Sequence, residues 1–126
     1  MKIEKLALPT LRFGIVILFL WFGLSQITAP TNWTGWVPEW ATSFGLSANV
    51  IVLLNGSFET ILGLVIALGF YTRLAALLLA LHIFLISFEI GYTAIGVRDF
   101  VLAIATLSLA MFKPDHYTFD NRSKNV

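Results

Sequence analysis

"NGSFETILGLVIALGFYTRLAALLLALHIF", residues 55–84, holds parts of two apolar runs with only Gly69, Phe70, Tyr71, Thr72 and Arg73 between them. So short a connection returns the chain beside itself, which makes the two runs an antiparallel helical hairpin. Followed outward, the first run reaches back to about residue 48 and the second forward to about residue 90. Each has about 20 residues, the length a helix needs to cross a hydrocarbon core of about 30 Å. One residue resists that reading: from Ala48 to Tyr71, Glu59 is the only charged side chain among 24 positions.

Composition identifies the solvent for which the rest of the chain is written. Hydrophobic residues make up 58% of 126 and charged ones 12%, with a mean hydropathy of +0.86. Soluble domains carry about twice that share of charge. A further span fits at about 9–28, with Pro9 acceptable in a first helical turn and "TAPTNWTG" ending the run. The last span must fit between Gly96 and Lys113. The residues between Asp99 and Lys113 supply only about 20 Å of helix, too short to cross. That span therefore begins near Ile95, at about 95–113, and carries Arg98 and Asp99 in its first turns.

The expectation is an all-α integral membrane four-helix bundle, a single membrane domain over residues 1–126. Its spans are about 9–28, 48–70, 72–90 and 95–113, with an outer interfacial loop at 29–47 and a polar tail at 114–126. The basic N-terminus resembles a signal peptide, but its apolar stretch is long and Ile27–Thr28–Ala29 makes a poor cleavage site, so it is read as a retained span.

Lys2, Lys5, Arg12, Arg73, Lys113, Arg122 and Lys124 fall on one side of this arrangement and only Arg98 on the other. Both termini are therefore expected on the cytoplasmic side. Trp33, Trp36 and Trp40 recur at helical spacing in the outer loop, with Pro38 among them. They suit a segment at the outer headgroup level, serving either as an aromatic anchor or as a lid over an outward-facing site.

Helical register gathers the polar groups. Asn55, Gly56, Glu59, Thr60, Gly63 and Ala67 share one face of the second span, and His82, Glu89 and Ala75 share a stripe on the third. Asp99, Ala103, Thr106 and Ala110 form such a stripe on the fourth, and Arg12, Phe19, Gly23 and Gln26 on the first. Small residues allow close helix approach in lipid, so these faces point into the bundle. Glu59 lies 11.5 residues before the hairpin midpoint at 70.5 and His82 lies 11.5 after it, so they share one depth. A charged group at a span's centre costs about 2.5–3.5 kcal/mol on insertion scales, which the aliphatic residues around Glu59 outweigh. Inside the bundle the carboxyl still requires a partner or a proton.

Other chemistries are excluded by residue type. Without cysteine there is no disulfide framework, thiol redox centre or cysteine-held iron–sulfur cluster in this chain. His82 lies in a span and His116 in the tail, so they cannot together ligate a haem between helices. A net charge of +1, with scattered Lys and Arg, argues against nucleic acid as a partner.

"LRFGIVILFLWFGLSQI", the hairpin quoted above, "VRDFVLAIATLSLAMF" and the terminal "YTFDNR" together resemble the DoxX family of small bacterial and archaeal membrane proteins. The specific elements are Arg12 and Gly23, Glu59 with the glycine-rich run to Gly69, Thr72–Arg73, and Arg98–Asp99. Family members often carry lysine where Gln26 stands here. The family is named with the DoxD subunit of archaeal thiosulfate:quinone oxidoreductase. The resemblance therefore implies a multi-pass subunit of a respiratory or quinone-linked oxidoreductase complex in the cytoplasmic membrane, with other subunits and the lipid bilayer as partners.

On this reading Glu59 and His82 are a candidate proton relay, and Glu59, His82, Arg98 and Asp99 a candidate pocket for a quinone or other polar ligand. Arg12, Arg73 and Glu89 are assigned structural roles. The two arginines reach cytoplasmic phosphates, and Glu89 joins an ion-pair cluster with Arg98 and Asp99 that locks the third span to the fourth. Quinone is the one cofactor admitted; none is expected to be held covalently, through cysteine or as a metal. Two other classes stay open: a purely structural or assembly subunit, and a small transporter or proton-conducting protein.

Overall fold

The computed structural model describes residues 2–123, so Lys124, used above for orientation, lies outside the described residues. Among the described residues six α-helices follow one another: α1 (Glu4–Thr28), α2 (Glu39–Thr42), α3 (Ala48–Leu68), α4 (Thr72–Ile90), α5 (Ala94–Met111) and α6 (Phe119–Ser123). Among the described residues there is no strand, and α1, α3, α4 and α5 are each long and apolar enough to cross a membrane. The chain is thus an all-α, four-span bundle. Its outer surface carries the expected apolar side chains, among them Ile17, Ile61, Leu85 and Val101.

Local chemistry accounts for the element ends. Ser47 caps α3 by accepting from Val50 N–H at 3.3 Å, and Thr93 caps α5 by accepting from Gly96 N–H at 3.0 Å. Gly69 ends α3 at φ 81°, where its N–H and that of Phe70 close back on Val65 O. Pro9 does not open α1 but lies inside it. The ring removes one early-turn hydrogen bond, and the helix reaches back to Glu4 regardless. The outer loop is not one helical segment. A 3₁₀ turn spans Pro30–Trp36, then Val37 and Pro38 are extended, because proline prevents its predecessor from continuing the helix.

The bundle is built as two tight pairs. α1 packs along α3 and α4 packs along α5, whereas α3–α4 and α1–α5 meet over much less of their length. Small residues allow both pairings: Gly23 against Gly56 in the first, and buried Ala75, Ala76, Ala80, Ala103 and Ala110 in the second. The pairs join through a core of Ile15, Val16, Phe19, Ile66, Ala75, Ala76, Leu79, Leu109 and Ala110. These residues come from the middle of α1, the end of α3, the first half of α4 and the end of α5, so the core fills the bundle from the α3–α4 turn to about mid-span.

The α3–α4 turn end is closed by charge. Arg12 is only 1% exposed; its Nε donates to Asp115 Oδ2 at 2.8 Å and its Nη1 to the carbonyls of Ile66 and Ala67 at 3.0 and 2.9 Å. This corrects the expectation that Arg12 reaches lipid phosphate. A buried guanidinium beside the carbonyls of α3's last turn, of which Ile66 O also accepts from the Gly69 N–H, finds its acceptors inside the protein. Arg73 is exposed, but its Nε similarly donates to Ala110 O at 3.0 Å in the last turn of α5. In each pair, then, one helix lends an arginine to the C-terminal end of its partner.

The tail does not fray where it is described. Thr118 is fully buried under Gly69, and Phe119 stacks on Phe70 with ring centroids 4.6 Å apart. Asp120 accepts from Tyr71 N–H at 2.8 Å and Thr72 N–H at 2.7 Å, which caps α4 and holds Tyr71 at a φ of 45° that a non-glycine residue rarely adopts. Asp120→Ala should therefore destabilise the bundle by about 1–2 kcal/mol, read from unfolding in detergent. An unchanged midpoint would show that the tail is not fastened there.

Candidate functional site

Above the core, with Phe19 shared between them, the two pairs part around a cavity of about 600 Å³. Its walls come from all four spans and the loop at 29–47, including Phe19, Trp21, Phe22, Trp33, Trp36, Trp40, Leu85, Ile86 and Leu102. Trp21 is 61% and Leu85 72% exposed, so the cavity wall reaches the lipid-facing surface of the bundle.

The floor is polar. Glu59 is 3% exposed and accepts from Gln26 Nε2 at 3.0 Å on Oε2 and from Asn55 Nδ2 at 3.2 Å on Oε1, and His82 Nε2 lies 3.2 Å from the same Oε1. Asn55 Nδ2 also donates to Gln26 Oε1 at 2.6 Å, and Gln26 Nε2 to the Phe22 carbonyl at 3.0 Å. The Gly23–Gly56 crossing explains why these groups meet. A Cβ on Gly56 would stand 2.8 Å from both Gln26 Cβ and Gly23 O. Only bare backbone lets α1 approach closely enough for its carboxamide to reach the α3 carboxylate. Phe58 supports His82 from the side, with ring centroids 4.8 Å apart.

Glu59 and His82, expected at one depth, are thus brought into contact by the structure. Arg98 and Asp99 also line the cavity, with Glu89, in the part farthest along the spans from the core. The cluster among these three is not the one expected. Arg98 pairs with Asp99 of its own helix at 3.3 Å, and among the described residues Glu89 makes no ion pair. Glu89 sits exposed in the last turn of α4 and keeps its hydration, whereas α4 and α5 are held together there by rings. Phe84 and Phe88 both pack on Phe100, at 5.4 and 6.1 Å.

The DoxX family model matches residues 7–90, two thirds of the chain. The chain belongs to the DoxX family. The match holds α1, α3, α4 and every residue of the polar floor, and stops before Arg98, Asp99 and the tail. No curated protein and no solved structure matches this DoxX-family chain.

Two members of the floor were readable on polar faces but not as partners of Glu59. Asn55 precedes Glu59 by one helical turn, and Gln26 follows Gly23 by three residues. A glycine beside an amide on each of two spans was the available signal, since it marks where two helices come close. Asp115 had no such signal, because its partner lies 103 residues away.

Proposed function

We propose that this DoxX-family protein is a membrane subunit of an oxidoreductase complex whose cavity takes the ring of a membrane-dissolved quinone. The observation that carries this reading is the combination of an apolar, aromatic-walled cavity with one buried carboxylate–imidazole contact at its floor. Such a cavity has the size and lining of a small-molecule site, and its reach to the outer surface suits a ligand arriving through lipid. Quinone and quinol differ by two protons as well as two electrons, so the ring needs groups that hold or pass protons. Glu59 and His82 supply these. Electrons come from a companion subunit, since this chain has neither cysteine nor a histidine pair within its spans.

Purification from the native membrane in mild detergent, followed by lipid extraction, tests the reading. Quinone should be present in amounts comparable to the protein, with companion polypeptides attached. Quinone no richer than in the bulk lipid extract would overturn it. Glu59→Gln should leave the companions attached and lower quinone-coupled turnover. Companions lost on that substitution, with quinone content unchanged, would favour a scaffolding role.

A further inference from the structure

We infer that the cavity floor recognises a hydrogen-bond donor, so that it selects the reduced, hydroxyl-bearing form of its ring. The choice of a quinone-type ring rests on the function proposed above; the demand for a donor rests on the floor alone.

The argument starts at a backbone atom. The Phe22 carbonyl only accepts, so the Gln26 group facing it at 3.0 Å is the NH₂. Gln26 Oε1 must then be the atom that faces Asn55 at 2.6 Å, which makes the Asn55 group there its NH₂. Both amide orientations are fixed in turn by one carbonyl. Gln26 uses its two amide hydrogens on Phe22 O and Glu59 Oε2, and Asn55 uses its two on Gln26 Oε1 and Glu59 Oε1. With Glu59 ionised, His82 Nε2 must carry a hydrogen, because a carboxylate only accepts, and that hydrogen is engaged on Oε1 at 3.2 Å.

Every hydrogen on the floor is then committed. What is left is of one kind: Asn55 Oδ1, the second lone-pair position of Glu59 Oε2 and, in the neutral imidazole, His82 Nδ1, none with a partner among the described residues. A quinone carbonyl brought to these atoms meets acceptors only; the N–H groups of Arg98 and the indoles belong to other parts of the cavity wall. A hydroxyl satisfies one of these acceptors, and a buried carboxylate gains most from it. An ammonium group shares that donor chemistry, and the indole walls would tolerate it.

The test uses the full chain in lipid nanodiscs, with tryptophan emission as the readout because Trp33, Trp36 and Trp40 line the cavity. Four probes of equal chain length are compared: an alkyl hydroquinone kept reduced under argon, its dimethyl ether, its quinone, and an alkylammonium. The hydroquinone should bind about tenfold or more tightly than the ether or the quinone. Glu59→Gln, which places an NH₂ on the floor, should shrink or invert that preference. Quinone binding as tightly as hydroquinone would overturn the inference while leaving the quinone site standing. Ammonium binding with no ring bound would keep the donor requirement and overturn the quinone reading. Saturation by none of the four would overturn both.

Discussion

Replacing Arg12 with alanine will destabilise the bundle by about 3–5 kcal/mol, the loss characteristic of breaking a buried ion pair from one side. The change leaves the Asp115 carboxylate, 8% exposed, without its counter-charge, and removes the guanidinium from the Ile66 and Ala67 carbonyls, of which Ile66 O keeps the Gly69 N–H. Arg12→Lys should recover little, because one ammonium cannot serve a carboxylate and two carbonyls in the geometry of the guanidinium fork. The double variant Arg12→Met with Asp115→Leu should be less damaged than Arg12→Ala, since it removes both charges and keeps volume. Denaturant titration in mixed micelles gives all three values. An Arg12→Ala protein within about 0.5 kcal/mol of wild type would mean that the closed end is held by packing alone.

The second large effect lies at the α1–α3 crossing. A Cβ on Gly23 would meet Thr60 Oγ1 and stand 2.9 Å from Gly56 O and Thr60 N, and backbone atoms of a packed helix cannot step aside. Gly23→Ala should therefore cost about 1–3 kcal/mol, and Gly23→Val more. Gly56→Ala should cost a similar amount, and the double alanine variant less than the sum, because helices already forced apart have room for the second methyl. Gly14→Ala, on the same helix with nothing within 4 Å of the added atom, is the neutral control. Separation of α1 from α3 also withdraws Gln26 from Glu59, so ligand binding should weaken in parallel with stability. A Gly23→Ala protein as stable as the Gly14→Ala control would refute the close approach.

The fold was legible because lipid imposes a simple grammar. Twenty-residue apolar runs and a five-residue hairpin left few alternatives to four spans, and the depth of Glu59 relative to His82 followed from counting along two antiparallel helices. What escaped were contacts that depend on rotation and side-chain reach. Register placed Arg12 near a membrane surface but could not show carbonyls at the end of α3 within its grasp. Proximity of charge suggested that Glu89 would pair with Arg98, yet an exposed carboxylate gains little from doing so. That α3 meets α1 over more of its length than it meets α4, its partner in the short hairpin, was hidden too, since polar stripes show which face turns inward and not which helix it meets.

The closed end has a further consequence. The core, the Arg12–Asp115 contact and the folded-back tail lie together on one side of Glu59, and the cavity lies on the other. Under the function proposed above, a proton bound at Glu59 would exchange through the cavity rather than through the packed end, and turnover would then be electroneutral with respect to the bilayer.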